Sequence, residues 1–433
     1  MKSLPPDDSQ RTLLHNEVHA RPSARIRLPA FILLVGVFNE GINREQECAH
    51  LQQLQPELSL QDMQGNFVRL RMKDYTLKWE RHTEFTRYSL VQALPDVAGL
   101  GSEEPELLSH LKLPHDWLAS IPGKTFSAIK LVMLQDDLAE PQSALELARR
   151  WLGDSPVIAS RMGSPAHSMV VTDFKLRESG FERMLVLAPE GTSKSRAGRI
   201  SQRLLELETY RLMALRGLPI AKIVSQQLGH FEKALSDIID SLEQKNCDDQ
   251  ALLNRLIGLA AAVERLTAEH AYRFSATSAY NKLVTERIVE LRESPISGTQ
   301  TIGEFMKRRL SPAMATVAAT AQRLASLSER IHRASSLLRT RVDIATEEQN
   351  RVLLEKLTKG QKLQLRLQST VEGLSIAAIS YYVVSLLLYA GKAGKAAGLN
   401  IHPELTAGAM IPLVLWGVWI ATRKIHKKIY SDP

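Results

Sequence analysis

The sequence predicts an α+β N-terminal domain, then a long-helix bundle, then a C-terminal two-helix transmembrane hairpin. Three observations carry this. Short alternating apolar runs mix with isolated helical spacing up to about residue 190. Beyond Ser193 the periodicity is helical almost without interruption. Two uncharged apolar segments, 374–390 and 405–422, lie near the C-terminus. The predicted boundaries are 1–190 for the α+β domain, 193–371 for the helical bundle and stalk, 372–423 for the hairpin and 424–433 for a basic tail.

Within the first domain, FILLVGVF from Phe31 is a continuous apolar run of strand length and predicts a buried strand. Residues 44–55 have helical spacing, and Pro56 stops them. NFVRLRMK and YTLKWERHTEFTRYSLV follow as two alternating runs separated by a short polar break. KTFSAIKLVML predicts a further strand and SALELARRWL a helix. HSMVVTDFKL and ERMLVLA predict a hairpin across Arg177-Glu178-Ser179-Gly180, where Gly180 supplies the turn.

In the second part, GRISQRLLELETYRLMALRGL is helical and ends near Gly217 and Pro219. Further helices are predicted at roughly 220–245, 250–271 and 276–293, with SPISG as the breaker. After Pro312 no glycine or proline occurs until Gly360. Leu324, Leu327, Ile331, Leu338, Val342, Ala345, Val352 and Leu363 form an imperfect apolar stripe, interrupted at Gln349. This predicts one long helix continuing into the first apolar segment. A helix of that length needs partners, either the preceding helices or, as a coiled coil, other copies of the chain, so a homo-oligomer is expected.

The two apolar segments are slightly shorter than the ~20 residues that cross a hydrocarbon core, and each extends at its loop end. Both are apolar on all faces, which disfavours a buried soluble hairpin. Lys359, Lys362 and Arg366 precede the first segment, and Arg423, Lys424, Lys427 and Lys428 follow the second. The loop between them carries only Lys392 and Lys395. This excess places both termini on the cytoplasmic side, with Trp416 and Trp419 towards the same interface. MKSLPPDDSQRTLLHNEVHARP has no apolar run behind its early lysine, so no cleaved signal peptide is expected. The two cysteines, Cys48 and Cys247, stand in no ligand or CxxC pattern and read as reduced cytosolic thiols. A net charge of +8 suits nucleic acid or an anionic lipid surface. The basic residues lack clustered aromatics, so membrane lipid is the expected partner and nucleic acid is not.

Few residues carry chemistry. Gly123-Lys124-Thr125 lacks the upstream glycine of a phosphate loop, because Leu118 stands there, and reads as a polar turn entering a strand. His15, Glu17 and His19 are spaced by two, as are Glu80, His82 and Glu84, the latter set on one face of a strand. Imidazole with carboxylate suits a metal or acid–base chemistry, but a structural hydrogen-bond network is the reading placed ahead of it. Ser375, Tyr382, Ser385 and Tyr389 fall on one broad face of the first apolar segment. Such a stripe lines a pore or packs helix against helix. No nucleophile elbow, dinucleotide fingerprint, zinc spacing or calcium loop is present, so neither an enzyme nor a cofactor is expected.

LHNEVHARP, LKWERHTEFTRY, LLELETYRLMAL, RFSATSAY, LLRTRVDIATEEQN and LQLRLQSTVEGLSIAAISYY resemble the bacterial domain-of-unknown-function 3422 family over nearly the whole chain. The resemblance implies a membrane-anchored protein, here of the bacterial inner membrane, and no assigned activity. The layout also resembles the CorA magnesium channel family, in which an α/β domain leads through a long helix to two C-terminal spans. Gly398-Leu399-Asn400, then Pro403 and Glu404, stand where that family has a Gly-Met-Asn signature and a proline–glutamate pair. Leu399 replaces the methionine, the loop is shorter, and Lys392 and Lys395 precede it. This second resemblance implies transport of Mg2+ or another divalent cation. A membrane-tethered scaffold or sensor without a pore is the alternative.

Overall fold

The computed structural model describes residues 8–11, 14–15, 23–96, 100, 107–153, 155–244, 248–398 and 402–429, with side chains as far as Lys424. Residues 1–247 and 254–334 form one unit, and 248–253 with 335–433 form a second.

The first unit is built on a nine-stranded sheet in the order β2-β3-β4-β1-β5-β8-β7-β6-β9. The strands are β1 (Ala30–Phe38), β2 (Phe67–Arg71), β3 (Tyr75–Arg81), β4 (Phe85–Ala93), β5 (Lys124–Gln135), β6 (Ile158–Met162), β7 (Ser168–Thr172), β8 (Glu182–Ala188) and β9 (Ser294–Pro295). Neighbours are antiparallel except β5 and β8. Central β1 explains its own composition. Phe31, Leu33, Val35 and Val37 enter one core, and Ala30, Ile32 and Leu34 enter the other. A strand covered on both faces has no reason to alternate in polarity.

The first core lies under α1 (Arg44–Gln52), α2 (His115–Ala119) and α3 (Pro141–Leu152), whose Leu51, Trp117 and Trp151 are buried there. The second lies under α4 (Lys194–Leu215) and includes residues of α6 (Asp249–Leu291), α7 (Ile302–Arg309) and the start of α8 (Ser311–Ala396). Between α4 and α6 comes α5 (Gly217–Leu242). The segment before β1 crosses α4 so closely that a Cβ on Gly198 would lie 1.6 Å from the Ala24 carbonyl oxygen. Only glycine fits there.

Several expectations change. YTLKWERHTEFTRYSLV is two strands, because the His82 N–H bonds the Phe85 carbonyl at 2.8 Å and closes a tight turn. β6 and β9 are further strands, and β9, two residues long, is too short to show a period. The break expected near residues 272–275 is absent: α6 is continuous over 43 residues, with no glycine or proline after Gly258 to stop it. Gly123-Lys124-Thr125 is the turn into β5, with Gly123 at φ +114°.

In the second unit, Arg341 of α8 pairs with Asp249 at 3.0 Å. α8 continues as one helix through the first apolar segment to Ala396, and α9 (Pro403–Ile429) holds the second. Both helices contain stretches long and apolar enough to cross a membrane. Leu324, Leu327, Ile331 and Leu338 are each at most 3% exposed. The chain's own packing fills that part of the stripe, so those residues are not a surface for self-association.

Candidate functional site

β3 and β4 place Lys78, Glu80, Arg87 and Ser89 on the α4 side of the sheet, where strand alternation would otherwise put apolar residues. Glu80 and Arg87 are directly opposed across the two strands, and their side chains pair at 2.8 Å. Lys78 reaches the other Glu80 oxygen at 2.8 Å. Arg87 continues to Glu206 of α4 at 3.9 Å, and Glu206 takes Arg287 of α6 at 2.6 Å and the Gln202 amide at 2.7 Å. Arg287 then bonds Glu290 at 2.8 Å, which also holds Arg203 at 3.2 Å. An alternating chain of charge therefore runs from the buried sheet to the surface of α4 and α6. Burial opposes ionisation of Glu80, but the Arg87 and Lys78 cations outweigh it and hold the carboxyl down at about 2. Removing one partner from a pair buried like Glu80–Arg87 costs about 3–5 kcal/mol, because the other charge is left stranded.

A second cluster sits one turn further along α4. Arg211 forks onto Glu208, with Nε at 2.8 Å, and approaches Glu182 of β8 at 3.7 Å. Burial and the facing Glu208 carboxylate push the Glu182 carboxyl up to about 9. At neutral pH Glu182 is thus protonated, beside the Glu208–Arg211 pair. Sequence patterning missed both clusters. The available signal was LLELETYRL, where two glutamates sit among apolar neighbours on a helix buried around most of its girth.

The histidine–carboxylate runs do not gather. His15 is exposed, while Glu17 and His19 lie outside the described residues. Glu80, His82 and Glu84 do not share a strand face, since β3 ends at Arg81. Glu80 joins the charge layer, His82 stacks on Phe85 at 4.4 Å, and Glu84 pairs with Arg273 of α6. Among the described residues no three His, Cys, Asp or Glu side chains group to hold a metal ion.

Along the first apolar segment, the Ser375 hydroxyl donates to the Val371 carbonyl at 2.8 Å, Tyr382 is exposed and Ser385 is half-buried. Gly398 follows α8 at φ +95°, Leu399 and Asn400 lie outside the described residues, and Glu404 is exposed in the first turn of α9. Arg423 lies over the Trp419 ring at 4.4 Å, and Lys424 is exposed. Lys427 and Lys428 are on α9, with their side chains outside the described residues.

No curated protein and no solved structure matches the chain. A family model described as "Protein of unknown function (DUF3422)" matches residues 6–429. Since that match runs through the sheet, the long helices and both apolar segments, the chain belongs to the DUF3422 family.

Proposed function

We propose that this is a two-pass protein of the bacterial inner membrane, whose α+β unit works as a non-enzymatic, membrane-tethered sensor or scaffold on the cytoplasmic side. One observation carries the membrane part. Only 6% of either apolar stretch is buried, whereas the core helix of a soluble protein is mostly buried. Tyr381, Leu386, Leu405, Leu413 and Trp416 stand exposed along these helices, a surface that lipid covers and water does not tolerate. The polar investment of the chain lies in the sheet and α4, which favours a soluble unit that responds to something over a pore that conducts.

The continuity of α8 from the helices of the soluble unit into the first apolar segment supports a second reading, CorA-like transport of a divalent cation by a homo-oligomer. It requires Asn400 and Glu404 at a common axis and Lys392 and Lys395 turned outwards to headgroups. Magnesium flux into proteoliposomes separates the two. The tethered reading expects no flux above empty vesicles at any gradient. Flux in the wild type that Asn400→Ala or Glu404→Ala abolishes would replace it with transport.

A further inference from the structure

Beside the charge layer, a cleft of about 310 Å³ opens between α4, the β6–β7 turn and the end of α6. Arg196, Arg199 and Arg203 are spaced by three and four, so they fall on one face of α4 and line this cleft together. Arg292, the residue after α6, joins them from the opposite wall at φ +48°. The β6–β7 turn is pinned in place by the Gly163 N–H, which bonds the Leu291 carbonyl at 2.9 Å. Arg196 in turn donates to the Ser164 carbonyl at 3.1 Å. Against four guanidinium groups the lining has one carboxylate among the described residues, Glu290, and that carboxylate is already divided between Arg203 and Arg287.

The floor supplies an independent sign. Ser168 is 1% exposed and lines the cleft, yet its hydroxyl has no hydrogen-bond partner among the described residues. The same is true of His167 Nδ1 beside it. A buried hydroxyl left unpaired costs stability, and it persists where a ligand supplies the missing partner. Cationic walls over such a floor match one chemistry. An anion with several acceptor oxygens and more than one charge takes forked bonds from arginines that a single carboxylate cannot fill.

We infer that this cleft binds a phosphate group, carried either by a free polar phosphate compound or by an anionic phospholipid headgroup. Its volume falls at the low end of the ~300–1,000 Å³ of small-molecule pockets. A second hollow of about 340 Å³ shares Arg199, Arg203 and Glu290, adds Ser23, Gln202, Arg287 and the carboxylate of Glu206, and gives room for the rest of an organic phosphate. The site goes beyond the tethered reading and does not depend on it, since every residue named lies in the first unit.

The test uses the full-length chain in uncharged detergent at fixed ionic strength, titrated calorimetrically with inorganic phosphate and with pyrophosphate. A parallel arm measures binding to mixed micelles containing phosphatidic acid or phosphatidylcholine. Saturable binding is expected, weakened at least ~10-fold in Arg199→Ala/Arg292→Ala, as two lost charge-assisted bonds imply. Both side chains are exposed, so the double variant should keep the wild-type melting temperature without ligand. Ser168→Ala removes a hydroxyl with no partner among the described residues and should weaken binding severalfold with no loss of stability. Binding of phosphatidic acid alone, lost in the same variants, keeps the site and assigns it to a headgroup. No saturable binding of any anion, or binding unchanged in the double variant, overturns the inference.

Discussion

Glu182 and Glu208 show how a single proton can set the stability of the sheet–helix contact. Glu182 has its carboxyl pushed up to about 9, so the folded chain keeps a proton that the unfolded chain releases near the ordinary carboxylate value of 4.5. Between those values the native state binds more protons, and stability falls as pH rises. The contribution is whole below pH 4.5 and lost by pH 9. Glu80 has the opposite sign: held down at about 2, it stabilises above pH 4.5 and loses that contribution as pH falls towards 2. Glu182→Gln keeps a neutral side chain at every pH. Thermal unfolding between pH 5 and 9 should therefore be flatter in the variant, with a melting temperature at pH 8 higher by ~2–4 °C for each kcal/mol recovered. A variant that parallels the wild type across that range would show that Glu182 ionises freely. Neither cluster was legible in the sequence beyond Glu80, because alternation tells which residues share a face and not which charges meet there. Glu80 and Arg87 belong to different strands, and Glu206 and Arg287 to helices 81 positions apart.

Among elements, legibility follows local signals. FILLVGVF and the β7–β8 hairpin were readable because burial on both faces and a turn glycine each leave a local mark. The β3–β4 turn was not, since Thr83-Glu84 contains neither glycine nor proline. α8 was readable as one helix, but its partners were not. The apolar stripe divides: its early residues are buried in the single chain, while Val352 and Leu363 are exposed, as are Leu353, Leu357, Leu367 and Val371 outside the stripe. Leu353 and Leu357, and Leu367 and Val371, are spaced by four, so each pair stacks on one helix face. An isolated helix leaves such residues in water, whereas a second copy covers them. Mass photometry of the detergent-solubilised protein should show more than one chain per particle. Leu353→Glu/Leu357→Glu should shift the distribution to single chains without moving the unfolding of the sheet unit. A wild type of single-chain mass would remove self-association through α8.

At the scale of the whole molecule, a membrane hairpin makes two separable claims, that the segments cross and which way they face. Crossing twice returns the chain to its starting side, whatever the charges. Orientation rests on seven flanking cations, Lys359, Lys362, Arg366, Arg423, Lys424, Lys427 and Lys428, against Lys392 and Lys395 in the last turns of α8. Each cation near an anionic cytoplasmic surface is worth about 1 kcal/mol, so the difference is several times thermal energy. Trp419 adds to it, since its ring lies under Arg423 where an interfacial aromatic would. Paired reporters separate the claims. Alkaline phosphatase fused after Pro433 should be inactive and a fluorescent protein there bright, while phosphatase inserted after Ala397 should be active. The reverse at both places would mean that the hairpin crosses with the orientation inverted. Inactive phosphatase at both places would mean that the segments do not cross, and the exposed apolar surface of α8 and α9 would then need a cover other than lipid.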